Sequence, residues 1–158
     1  MERPRTEGVH SRTHSPGPTE PVDRLVRVVL ALVIVQLTVT TASIHLGLGG
    51  QLFTLNGLGY IALAVAYGVG ALVPLPIVQR FAWLPRFGLG GYTVLTIGAY
   101  LVIGPYFTLG WVTKGIESAL VGLLLADLIA AYGSARGVWD AVLGSSPVAR
   151  PPGGPHLA

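Results

Sequence analysis

The stretch Trp111–Tyr132, WVTKGIESALVGLLLADLIAAY, is long and apolar enough to cross a bilayer, yet it carries Lys114, Glu117 and Asp127. Its eight aliphatic residues from Ile116 to Ile129 contribute roughly −4 kcal/mol at about −0.5 kcal/mol each. Two carboxylates near a bilayer centre cost roughly +5 to +7 kcal/mol on the same insertion scale. Such a helix needs neighbours that cover its charges, so the chain has to be a multi-span bundle.

Composition agrees with that constraint. Of the 158 residues, 51% are hydrophobic and 11% charged, and the mean hydropathy is +0.64. These values define an integral membrane protein rather than a soluble domain. Glycine, with 22 residues, suits helices whose backbones approach closely. The absence of cysteine excludes disulfides, thiolate metal sites and a cysteine nucleophile. The net charge of +3 is spread over short loops and tails without a cationic run, which argues for a membrane-orientation signal and against nucleic acid.

Taken in order, residues 1–21 are rich in Pro, Ser and Thr and read as a disordered tail. An apolar run between Arg27 and His45 then matches one crossing, and the first span is expected at residues 25–46. A secretory signal peptide is the rival reading of this run, on the small residues Thr40 and Ala42. The run is longer than a signal core, and more spans follow. The Gly-rich link from Gly47 to Gln51 returns the chain into a second span at 52–73, where Ala64 and Gly68 form a flat strip for helix packing. Pro74 and Pro76 end it.

Residues 75–88, LPIVQRFAWLPRFG, mix Arg80 and Arg86 with Phe81, Trp83 and Phe87, the composition of a headgroup-level loop. The third span is expected at 89–106, with Tyr92, Thr96 and Tyr100 on one face. The fourth lies at 113–132. Residues 133–144 then carry apolar residues at helical spacing and read as a short interfacial amphipathic helix, followed by a second disordered tail at 145–158. The expected fold is therefore an all-α, up-down bundle of four transmembrane helices. Nine arginines fall on one side of this topology and Lys114 on the other, which puts both termini on the cytoplasmic side of the membrane.

This topology gives the polar residues depths. His45, Asn56, Lys114 and Glu117 reach one outer layer, where a carboxylate near a histidine can exchange a proton or hold a cation or polar ligand. The plainer reading makes Lys114 and Glu117 interface anchors, with His45 and Asn56 closing the turn between the first two spans. Asp127 lies ten residues beyond Glu117, about 15 Å deeper by helical rise, with no basic residue assigned to its depth. It is either an intramembrane protonatable site or a structural clasp accepting hydrogen bonds from Tyr67, Thr93 or Thr96. On the fourth span, Ser118, Gly122, Ala126 and Ala130 form a small-residue stripe turned away from Glu117 and Asp127, a face for a helix of this chain, of a second copy or of another membrane protein.

No metal or cofactor is expected. His45 is the one histidine in a span, so a single chain cannot ligate haem through two histidines, and HExxH, G-x-S-x-G and P-loop patterns do not occur. No enzyme activity follows from these residues. The runs SIHLGLGGQLFTLNGLGYIALAVAYGVG, GYTVLTIGAYLVIGP and GWVTKGIESALVGLLLAD resemble a group of small four-helix integral membrane proteins of bacteria that lack an assigned activity. That resemblance implies the architecture and no catalytic residue. The expected role is an accessory or scaffolding subunit of a membrane assembly. The alternative is a small proton-coupled carrier using Asp127 and Glu117, which predicts both acids facing a hydrated cavity.

Overall fold

The computed structural model describes residues 20–143. The two expected tails lie outside these residues, except that Glu20 and Pro21 already belong to the first helix. Every regular element among the described residues is a helix: α1 (Glu20–Leu48), α2 (Gln51–Leu72), α3 (Pro76–Arg80), α4 (Trp83–Ile103), α5 (Thr108–Tyr132) and α6 (Ala135–Val142). Four of them, α1, α2, α4 and α5, are long and apolar enough to cross a membrane. The protein is an all-α, four-helix, multi-pass membrane bundle.

Its outer surface follows from the solvent it is built for. Large apolar side chains such as Val65, Leu95, Leu125 and Ile129 are more than half exposed, an arrangement costly in water and neutral among acyl chains. Each long helix packs on two others. α1 touches α2 and α5, and α4 touches the same two, so the spans close a ring in the order α1–α2–α4–α5.

Close contacts sit where the chain is thin. A Cβ on Gly57 would lie 2.7 Å from Leu46 Cγ and 3.0 Å from the Ala42 carbonyl oxygen, so only glycine lets α2 approach α1 there. Gly68 and the buried Ala64 extend that contact along α2. The link between the two helices needs glycine for a different reason. Gly49 and Gly50 adopt φ of 70° and 83°, the left-handed region that other residues enter at a cost.

The connection from α2 to α4 departs from the sequence expectation. Residues 75–88 contain α3 and the whole first turn of α4, rather than a headgroup-level loop. Pro85 lies in that first turn, where a backbone N–H has no helical acceptor and its loss is tolerated. The third span consequently begins at Trp83, six residues before the expected start, and Arg86 enters the bundle with it. Gln79 of α3 covers the end of α2 by donating to the carbonyls of Val73 (2.8 Å) and Gly70 (3.3 Å). α6 packs against α5 and α4 with Trp139 exposed.

The core consists of Ile34, Tyr60, Tyr67, Leu89, Leu120 and Leu124, together with the small residues Ala31 and Ala42. Leu120 and Leu124 occupy the α5 face between Glu117 and Asp127, and Leu89 stands one turn beyond Arg86 on α4. They form an apolar layer that separates two polar clusters.

Candidate functional site

All three charged residues of α5 are turned inward. Glu117 is fully buried, and Lys114 and Asp127 are 8% and 5% exposed. Their surroundings differ at the two ends of the bundle.

Toward the α1–α2 turn, Lys114 Nζ donates to Glu117 Oε2 at 2.5 Å and, more weakly, to the Thr96 carbonyl at 3.3 Å. Glu117 Oε2 also accepts from the Thr96 hydroxyl at 3.2 Å. That hydroxyl has one proton, which the Thr93 carbonyl competes for at 2.8 Å, so Tyr60 acts as donor in its 2.7 Å bond to Thr96 Oγ1. The ring of Tyr60 packs edge-on against Tyr92, whose hydroxyl donates to Asn56 Oδ1 at 2.6 Å. His45 Nδ1 donates to the Thr41 carbonyl at 2.8 Å. Its Nε2 therefore carries the lone pair in the neutral ring, and it faces Glu117 Oε1 across 3.8 Å. Oε1 is buried and accepts no hydrogen bond among the described residues.

His45, Asn56, Lys114 and Glu117, singled out from depth alone, are thus placed in one cluster drawn from α1, α2 and α5, and α4 supplies Tyr92 and Thr96. The anchor reading of Lys114 and Glu117 needs side chains reaching for headgroups. Both instead fold into the bundle, because the ammonium finds its counter-ion one turn along its own helix. A cavity of about 370 Å³ adjoins the cluster, with His45, Asn56, Tyr92, Thr96, Tyr100 and Lys114 in its lining.

Near the α2–α4 end the expectation of an isolated Asp127 is overturned. Arg86 Nε donates to Asp127 Oδ2 at 2.8 Å, and Arg86 Nη1 donates to the Ala82 carbonyl at the same distance. The guanidinium also lies 5.8 Å from the centroid of the Tyr67 ring. Thr93 and Thr96 spend their hydroxyl protons elsewhere, so neither serves Asp127, whereas the Tyr67 hydroxyl stands beside the carboxylate without a hydrogen bond of ordinary geometry. The signal that could have located this pair is the position of Arg86 just after a proline that fits a helix start.

Asp127 does not line the cavity, and neither does Glu117, although its partners Lys114 and Thr96 do. The carrier reading expects both acids to face a hydrated cavity, and neither lines this one. Ser118, Gly122, Ala126 and Ala130 all lie exposed on the outside of α5, and a Cβ on Gly122 would meet nothing within 4 Å. Groups of three or more residues able to hold a metal ion do not occur among the described residues.

No family model, curated protein or solved structure matches the chain.

Proposed function

We propose that the protein is a non-enzymatic accessory or scaffolding subunit of an assembly in the bacterial cytoplasmic membrane, with both termini on the cytoplasmic side. A second transmembrane helix packs on its Ser118–Gly122–Ala126–Ala130 face. The observation that carries this reading is the division of α5: every charge is turned into the bundle, and a continuous strip of small residues is turned out. Small side chains let a neighbouring helix backbone come close and gain packing contacts, whereas a surface meant for lipid alone has no use for them. The apolar layer between the polar clusters favours structural use of the buried charges over conduction, and the resemblance to small four-helix membrane proteins of bacteria supports the architecture and the bacterial setting alone.

Because the chain has no cysteine, Gly122→Cys introduces a unique thiol. In native membranes, a maleimide–benzophenone reagent attached at Gly122→Cys or Ala126→Cys should photocross-link by C–H insertion to a discrete partner, and the same reagent at Val65→Cys on α2 should give no such product. A dimer-sized product identifies a second copy, and any other size another subunit. Equal products from both faces would sink the proposal.

A proton-coupled carrier is the second reading, favoured by the His45–Glu117 approach, where two groups able to exchange a proton stand 3.8 Å apart. It rests on these two residues, since Asp127 is held by Arg86. Proteoliposomes under a pH gradient should then show proton flux that Glu117→Gln abolishes, and flux unchanged in that variant rules the reading out.

A further inference from the structure

The cavity beside the outer cluster falls within the size range of small-molecule sites. Leu52 and Leu55 of α2, and Leu95 and Ile103 of α4, form part of its wall and are each at least 60% exposed on the outside of the bundle. The cavity therefore opens sideways between α2 and α4, toward acyl chains, and its occupant arrives from the membrane.

The polar floor specifies the head of that occupant. An ammonium has three N–H groups. Two of those on Lys114 are used, by Glu117 and Thr96, and the third makes no hydrogen bond among the described residues, the ammonium lying 5.4 Å from the centroid of the Tyr100 ring that also lines the cavity. The Asn56 amide accepts from Tyr92 through Oδ1, and its NH₂ makes no hydrogen bond among the described residues. His45, 4% exposed, spends Nδ1–H on the Thr41 carbonyl and leaves Nε2, 3.8 Å from Glu117 Oε1 and without a hydrogen bond, as an acceptor. The floor thus offers two donors and one acceptor to a molecule with an apolar body.

We propose that this cavity binds a long-chain carboxylic acid, its head at the His45–Lys114 floor and its chain leaving between α2 and α4. The acid O–H donates to His45 Nε2, and its carbonyl oxygen accepts from Lys114 and Asn56. An alcohol brings one oxygen to this floor, and an ester lacks the O–H. Charge also balances. Lys114 and Glu117 cancel, and a neutral acid adds nothing. If its proton passes to Nε2, the resulting carboxylate and imidazolium cancel as well, so the desolvated site stays neutral in both forms. The site lies in the bundle interior, away from the outer face of α5, and does not depend on what packs there.

The test uses the full chain in phosphatidylcholine nanodiscs, irradiated with a diazirine-bearing palmitic acid and mapped by mass spectrometry. Adducts should concentrate on the cavity residues of α2 and α4. Palmitic acid should suppress them roughly tenfold more effectively than methyl palmitate or hexadecanol, the factor that one or two lost hydrogen bonds imply. Ala99→Phe, which fills the cavity from α4, should remove most adducts without changing the unfolding temperature. Adducts spread evenly over lipid-facing residues, or equal suppression by acid, ester and alcohol, would overturn the proposal. The competition series uses the unaltered protein, so it decides the matter even where Ala99→Phe fails to fold.

Discussion

Arg86 Nε lies 2.8 Å from Asp127 Oδ2, tying the first turn of α4 to the last two turns of α5 where both side chains are more than nine-tenths buried. Removing one partner leaves an uncompensated charge in a low-dielectric interior, which costs about 3–5 kcal/mol. Arg86→Ala or Asp127→Leu should lower stability by that amount in a detergent unfolding assay. The double variant Arg86→Met/Asp127→Leu should recover most of the loss, because apolar groups of similar size replace a buried pair at little net cost. Additive losses in the double variant would mean that the two residues do not act as a pair.

Two glycines separate the inner packing of the bundle from its outer face. Gly57→Ala places a methyl against Leu46 and the Ala42 carbonyl, and the overpacking between α1 and α2 should cost about 1–3 kcal/mol. At Gly122 the space is open, so Gly122→Ala should leave the isolated protein as stable as before or raise its stability by up to about 1 kcal/mol through helix propensity. Unfolding of both variants in the same detergent gives the comparison. Equal losses at the two positions would contradict the burial pattern.

Much of this architecture was readable in the residues, for reasons that also explain the misses. The four spans were visible because bilayer thickness demands about 20 apolar residues in a row, a constraint few other structures imitate. His45, Asn56, Lys114 and Glu117 could be grouped because an up-down topology assigns depth to each residue, and short links leave little freedom in depth. Azimuth is what depth does not supply. Nothing in an apolar pattern tells which flank of α4 faces α5, so Tyr92 and Thr96 could be placed on one face without showing that Thr96 meets Glu117. Arg86 was misplaced for a local reason. An arginine between aromatic residues looks like interface chemistry, whereas Pro85 before it also fits the first turn of a helix.

The arginine distribution gives a topology that reporter fusions can check. Arg24, Arg27, Arg80, Arg86 and Arg136 all lie near one end of the four spans, and cationic flanks are retained in the cytoplasm. A reporter active only in the cytoplasm should work when fused after Ala158 and fail when inserted between Gly49 and Gly50. The reverse result would invert the bundle and place the His45 cluster in the cytoplasmic half.

Within that cluster, the order of mutational costs tells whether charge pairing or the neutral network holds it together. Tyr60→Phe deletes the donor to Thr96 but keeps the edge-on ring contact with Tyr92 at 5.0 Å. It should cost about 0.5–1.5 kcal/mol, the ordinary worth of one hydrogen bond. Glu117→Leu strands the Lys114 ammonium, which is 8% exposed, and should cost about 3–5 kcal/mol. Lys114→Met on that background removes the stranded charge and should return most of the stability. A Tyr60→Phe loss as large as that of Glu117→Leu would instead make the hydroxyl chain from Tyr60 through Thr96 the element that orders the cluster, since a chain of polarised hydrogen bonds fails as a unit when its first donor is removed.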